Sequence, residues 1–197
     1  MVEAARSVLP VLKDDGYVIS MQNGICEDVL GEGIGHDKII GCVTGWGATM
    51  ESHGRLIMTS SGDFVLGYPG KKPDTDLNTV ANALSRVVPV RVTDNIMGHL
   101  YSKLIINSCI TSLGAICGLY LGKMLSIRKI RKIFIEIIRE AVVVADKMNL
   151  KIEIFGGRLD CREFIKGEGF PADLRRHVMI RIIGFKYRKL KSSSLQS

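Results

Sequence analysis

"SIRKIRKIFIEIIREAVVVADKMNL", residues 126–150, decides the second half of the chain. Ile127, Ile130, Ile133, Phe134, Ile137, Ile138, Ala141, Ala145 and Met148 recur at three- and four-residue steps, the period of one helix face. Ile135, Val143 and Val144 widen that stripe, so the spacing predicts a helix covered on more than one side. Ser126 is the expected N-cap, because its hydroxyl can accept a first-turn N–H. A loop rich in Gly, Asp and Glu follows, around "FGGRLDCREFIKGEGFP", and Pro171 opens a last helix from about Ala172 to Leu190.

Going the other way, the helical period reaches back to about Asp94 and stops there. Before it the pattern is α/β. "AARSVLPVLK" (4–13) reads as the end of a helix, with Pro10 hard to place in it. Tyr17 to Met21 form a short strand before a Gln-Asn-Gly turn, and "KIIGCVTGWGATM" (38–50) reads as a second strand. "GRLIMTSSGDFVLGYPG" (54–70) reads as two strands folded over the Ser-Gly-Asp turn. Residues 74–86 are helical, capped by Asp74 or Thr75, and "VPVRVT" (88–93) is a last strand. The fold class is therefore α/β followed by all-α, with domains at 1–93 and 94–197. A doubly wound sheet builds its nucleotide crevice on a first βαβ unit. Nothing here supplies that unit, so the chain reads as the later part of something larger.

With 197 residues, 46% hydrophobic and 24% charged, the chain has the composition of one large globular domain or two small ones. It has no run of about 18 uninterrupted apolar residues and no leader-like start, so neither a membrane span nor a signal peptide is expected. The 5 cysteines are scattered and the 4 histidines stand apart, so no structural zinc site is expected, and the pattern suggests reduced thiols in the cytoplasm. The net charge of +7 is concentrated at Arg175, Arg176, Arg181, Lys186, Arg188, Lys189 and Lys191. This stripe is read as a solvated helix face able to attract anions. Phe185 and Tyr187 are too few aromatics for base stacking, so no nucleic-acid partner is expected.

"YSKLIINSCITS" (101–112) carries a different signal. Lys103, Asn107 and Thr111 stand four residues apart in an otherwise apolar helix. Each step rotates about 40° and rises about 6 Å, so the three share one slowly drifting face. An ammonium, an amide and a hydroxyl in a row suit a groove wall that meets an oxygen-rich small substrate. A lysine there can protonate a keto oxygen as negative charge develops on it. The alternative is a snorkelling lysine beside an asparagine that satisfies local backbone.

Read together with four other segments, this helix resembles the Lys-x3-Asn-x3-Asn helix of the ketopantoate reductases (2-dehydropantoate 2-reductases). "VISMQNGICEDVL" is similar to that family's strand and Gln-Asn-Gly turn, and "GCVTGWGATMESHGRLIMTSSGDFVLG" to its next strand and hairpin. "EIIREAVVVADKMNL" resembles its long C-terminal helix and "KSSSLQS" its Ser-Ser-Met-Leu-Gln-Asp stretch. The resemblance implies a Rossmann-type domain joined to a helical one, NADP(H) as cofactor, and reduction of 2-dehydropantoate to pantoate for pantothenate and coenzyme A synthesis. It implies Lys103 as general acid, Asn107, Thr111 and Ser193 as substrate contacts, and Asn23 and Ala48 as cofactor contacts. A small 2-keto acid is the expected partner, and a homodimer is compatible with the family. Thr111 replaces the family's second asparagine, and Tyr101 stands where the family often has Trp. The family's Gly-x-Gly-x-x-Gly turn and its downstream glutamate have no match in the chain. "GEGIG" (31–35) is not that turn, because "HDKIIG" after it reads as a strand. The competing expectation is a non-catalytic relative serving as a helical interaction or dimerisation module.

Overall fold

The computed structural model describes residues 2–157 and 159–188. The chain divides into two compact units, Met1–Tyr101 and Ser102–Ser197. The first runs α1 (Val2–Val8), β1 (Val18–Ser20), α2 (Glu27–Ile34), β2 (Ile39–Thr44), β3 (Gly47–Ser52), β4 (Arg55–Ser60), β5 (Phe64–Gly67), α3 (Thr75–Leu84), β6 (Val90–Val92) and the start of α4 (Ile96–Asn107). Pro10 falls in a 3₁₀ turn, Leu9–Val11, that ends the first helix instead of lying inside it.

The main sheet has the order β1-β2-β5-β6, parallel at its two outer pairs and antiparallel between β2 and β5. Alternate residues point to opposite faces. Ile40, Cys42, Phe64 and Leu66 meet Leu77 and Ala81 of α3 on one face. Val43 and Val65 meet Ile96 and Leu100 of α4 on the other. A Cβ at Gly41 or Gly67 would lie within 2.9 Å of Ile96, so side-chain-free backbone is what lets α4 seat there.

The hairpin expected over Ser61-Gly62-Asp63 does not form. β4 pairs antiparallel with β3, Ala48 opposite Met58, while β5 pairs with β2. Burial decides this. Phe64, Val65 and Leu66 are at most 3% exposed and find cover only in the main sheet, whereas β4 is exposed throughout. The chain crosses itself where it changes sheet, and a Cβ on Gly62 would lie 2.1 Å from the Gly45 carbonyl oxygen. The single strand expected over 38–50 is accordingly two, broken at Gly45 and Trp46.

Asp74 caps α3, as expected. Its carboxylate accepts the Leu77 N–H at 3.0 Å, the Tyr68 hydroxyl at 2.8 Å and the Lys71 ammonium at 3.0 Å. These bonds, the Leu77 N–H first, hold it at about 2, below the usual 3.8. A depressed acid stabilises the fold above its unfolded value and loses that contribution as pH falls through the folded one. Wild type should therefore lose thermal stability more steeply than Asp74→Ala between pH 3.8 and about 2. Paired melts followed by circular dichroism check this, and parallel slopes would contradict it.

The second unit continues through α5 (Leu113–Cys117), α6 (Leu121–Ser126), α7 (Arg128–Lys147), α8 (Cys161–Ile165) and α9 (Gly169–Lys186). Two expectations change here. Ser126 ends α6 and donates to the Lys123 carbonyl, and Ile127 takes the N-cap position of α7. The apolar stripe of α7 is also narrower than its sequence suggests. Phe134, Ile135, Ile138, Val142 and Ala145 are buried, while Ile133, Val143 and Val144 are about half exposed. In α9 the first turn begins at Gly169, and Pro171 sits within that turn, where an N–H has no intrahelical acceptor.

Buried arginines close the short helices. Arg131 is 7% exposed and donates to the Leu125 and Ser126 carbonyls at the end of α6. Arg176 is 1% exposed and donates to the carbonyls of Phe164, Ile165, Lys166 and Gly167 at the end of α8, and to Asp173. Arg175 adds bonds to Glu163, Phe164 and Lys166. The carbonyl end of a helix carries partial negative charge and lacks donors, so a guanidinium suits it. The basic stripe is therefore not one solvated face, because Arg175 and Arg176 are committed to the fold.

Cys42, Cys109 and Cys161 are buried, and Cys26 and Cys117 are half-buried. Burial, with Asp160 second, pushes the Cys161 thiol up to about 11. Burial, with the neighbouring Glu27 charge second, also pushes the Cys26 thiol up. A thiol reagent at neutral pH should thus modify Cys117 first, Cys26 more slowly, and the three buried cysteines only on unfolding. Peptide mass spectrometry gives the order, and early labelling of Cys109 or Cys161 would contradict it.

Candidate functional site

The polar row lies on α4 and the turn after it. That helix is apolar, and Ile96–Cys117, 22 residues, is long and apolar enough to cross a membrane by length and composition. The same apolarity serves packing. Ile96 and Leu100 cover the sheet of the first unit, and in the second unit Ile105, Ile106 and Cys109 are buried. Ser102 is buried as well and donates to the Glu153 carbonyl. Lys103, Asn107 and Thr111 are half-buried.

A π turn, Ser108–Ser112, follows Asn107 directly. Its bonds span five residues instead of four, and such widened turns recur at functional sites. The β-branched Ile105, Ile106, Ile110 and Thr111 crowd an ordinary α turn here. The Cys109 thiol also reaches the Phe134 carbonyl of α7 at 3.7 Å. Helical spacing therefore fixes the relation of Lys103 to Asn107, one turn or about 6 Å apart along the axis. It does not fix Thr111, which lies inside the widened turn.

Asn107 makes no capping hydrogen bond and lines a cleft of about 490 Å³ within the second unit. Ile110, Phe134, Phe155 and Ile182 supply apolar walls, with Lys186 and Tyr187 at the end of α9. Lys103 and Thr111 are not among its lining residues. Ser193 lies outside the described residues.

The two other candidate residues belong to the first unit. Asn23 is exposed, in the turn that follows the carboxyl end of β1. Ala48 is exposed on β3. β1 and β2 are parallel, so Ser20 and Thr44 share the carboxyl edge from which these two segments leave. In open α/β sheets that edge is where ligands bind. Sequence reasoning passed over two groups beside it. Ser20 Oγ and Glu27 Oε1 are buried without a hydrogen-bond partner among the described residues, while Glu27 Oε2 accepts the Cys26 N–H at 2.8 Å. In sequence Glu27 is an ordinary acid in the first turn of a helix, and nothing in the pattern marks it as buried. "GEGIG" closes α2 and leads into a 3₁₀ turn, His36–Lys38, so no helix opens on it.

The family model "Ketopantoate reductase PanE/ApbA" matches residues 1–71, and "Ketopantoate reductase PanE/ApbA C terminal" matches residues 95–196. The chain belongs to the ketopantoate reductase family. A 2-dehydropantoate 2-reductase of Pyrococcus horikoshii is 27% identical over 153 residues, 77% of this chain and 50% of its own length. The chain spans about half the length of the curated relatives it matches. Among solved structures, D-mandelate dehydrogenase with NADH and anilino(oxo)acetate matches with a TM-score of 0.76 at 19% identity, over 100% of this chain and 59% of that one. A dimeric ketopantoate reductase from Staphylococcus aureus matches with a TM-score of 0.68 at 15% identity, over 98% of this chain and 59% of that one. These two likenesses bear on the fold, α/β and then helical, which is the ketopantoate reductase arrangement.

Proposed function

We propose that this chain carries the substrate-side machinery of a nicotinamide-dependent reductase, with 2-dehydropantoate as the 2-keto acid and NADPH as the reductant. The observation that carries the reading is family membership across both units, together with Lys103 and Asn107 one turn apart and half-buried on α4. Lys103 donates a proton to the keto oxygen, and the Asn107 amide orients the carboxylate beside it. The nicotinamide supplies the hydride when bound.

The residues at the carboxyl edge of β1 suit such a group. Asn23 offers an exposed amide, and Ser20 Oγ and Glu27 Oε1 are polar atoms without partners among the described residues. Amide and hydroxyl groups of a nicotinamide riboside pair with that set. Ala48 and Ser193 are assigned as a backbone cofactor contact and a substrate contact on family resemblance, and Thr111 as a weaker substrate contact. A cytoplasmic location and a homodimer belong to the same proposal. The dimeric Staphylococcus aureus relative supports the second, and sedimentation of the purified protein tests it.

Fluorescence titration separates this reading from that of a non-catalytic interaction module. NADPH should bind in the micromolar range and more tightly than NADH, and Asn23→Ala should weaken binding about tenfold, the scale of one lost hydrogen bond to a ligand. No binding of either nucleotide would favour the module.

A further inference from the structure

Asn23 is exposed, so no neighbour packs its amide into place. Its direction is set by the backbone of residues 21–26. Gly24 in that turn has φ +102°, a conformation that side chains rarely adopt. Ile25 then packs beside Val43, Val65, Ile96 and Leu100, and Cys26 beside Leu30, Ile34 and Ile39. Among the described residues one side-chain hydrogen bond reaches the turn. Glu27 Oε2 accepts the Cys26 N–H at 2.8 Å.

Capping a helix does not call for this arrangement, since a short Ser or Asp at the cap position satisfies a free N–H while staying in water. Glu27 is instead 1% exposed, and its Oε1 is buried with no partner among the described residues. Ser20, which enters the turn at its other end, is 4% exposed and its Oγ is likewise unpaired. Buried polar atoms without partners oppose folding, and sequences keep such violations chiefly where function needs them.

We infer that Glu27 is a positioning residue for the cofactor. Its carboxylate fixes the turn through the Cys26 N–H and so aims the Asn23 amide at the nicotinamide. The inference rests on the proposed binding of that cofactor and adds a residue that acts on it through another. The role belongs to Oε2 and is separate from that of the unpaired Oε1. Leucine at position 27 fills a similar space and removes the buried charge, while Cys26 is half-buried, within reach of water. Fold and binding should therefore part company in Glu27→Leu.

The test pairs thermal melts with fluorescence titration of this chain by NADPH. Glu27→Leu should melt no more than about 4 °C below wild type, the shift that one weak hydrogen bond makes in a chain of this size. It should nevertheless bind NADPH about tenfold more weakly. Glu27→Gln keeps an oxygen for the Cys26 N–H and should bind more tightly than Glu27→Leu. In the double variant with Asn23→Ala the loss should stay well below the product of the two single losses, because Glu27 works through that amide. Hydrogen exchange without nucleotide gives a second readout. Amides of residues 21–26 should exchange about tenfold faster in Glu27→Leu and at the wild-type rate in Glu27→Gln, with β2 and β5 unchanged in both. Wild-type affinity in Glu27→Leu, single losses that multiply in the double variant, or a loss of affinity matched by a large fall in melting temperature would overturn the inference. A wild-type chain that binds no NADPH overturns the nicotinamide reading and this inference together. Weakened binding in Asn23→Ala beside wild-type affinity in Glu27→Leu keeps that reading and removes Glu27 alone.

Discussion

Lys103→Ala, in the enzyme expressed from its complete reading frame, is expected to lower kcat by about 10²- to 10⁴-fold, the usual contribution of a positioned general acid. The change in KM should be smaller, because Asn107, the proposed carboxylate anchor, is untouched. Addition of hydride to a carbonyl carbon breaks the C=O π bond and leaves charge on oxygen, and the role proposed for the Lys103 ammonium is to neutralise that charge by giving up a proton. Lys103→Arg distinguishes proton donation from charge stabilisation. A guanidinium keeps the positive charge and does not release a proton at working pH, so it should not restore the rate. Near-normal turnover in Lys103→Ala would remove this residue from the reaction, and full rescue by arginine would make its role electrostatic.

The second large effect concerns the fold. Arg176→Ala should destabilise the chain by about 2 to 4 kcal/mol, because it leaves helix-end carbonyls without a donor at about 1 to 3 kcal/mol for each that water does not reach. The carbonyls of Ile165 and Gly167 at the end of α8 would lose their donor, and a cavity would replace the guanidinium. Arg176→Lys should rescue little, because an ammonium lacks the planar fork that reaches several carbonyls at once. Asp173→Asn should cost much less, since the Asp173 side chain is 59% exposed. Urea unfolding of the three variants gives the ranking. A loss below about 1 kcal/mol for Arg176→Ala would mean that the helix ends are satisfied by water instead.

Much of this architecture was legible in the sequence because local period reports local structure. The β-rich apolar runs within 38–50 and 54–70 marked strands, and Asp74 marked a helix start. What failed depends on distant partners. The Ser-Gly-Asp turn was read as a hairpin because turn chemistry is local, whereas the choice of sheet for β5 follows from burial of both its faces. Arg175 and Arg176 looked like charges on a solvated face, and nothing in the pattern singled out Arg131. Their targets are carbonyls at the ends of other helices, and no spacing rule within one helix reveals them. Ser126 looked like a cap because nothing in its own neighbourhood says that α6 ends on it. In the candidate site, the step from Lys103 to Asn107 was legible as helical spacing. The step to Thr111 was not, because the π turn widens the helix there without altering the polar and apolar pattern. The roles of Lys103 and Asn107 came from family resemblance, with the geometry of α4 compatible with them.

In the proposed reaction, hydride from a nicotinamide reaches the keto carbon of a 2-keto acid held at Asn107 and Lys103. Reduction with NADPH carrying deuterium at its hydride-donating carbon, with 2-dehydropantoate as acceptor, followed by mass spectrometry of the 2-hydroxy acid, tests this. Deuterium at the former keto carbon, lost from the product pool in Lys103→Ala, is the result expected. Absence of labelled 2-hydroxy acid from a protein that binds both NADPH and the keto acid would contradict it.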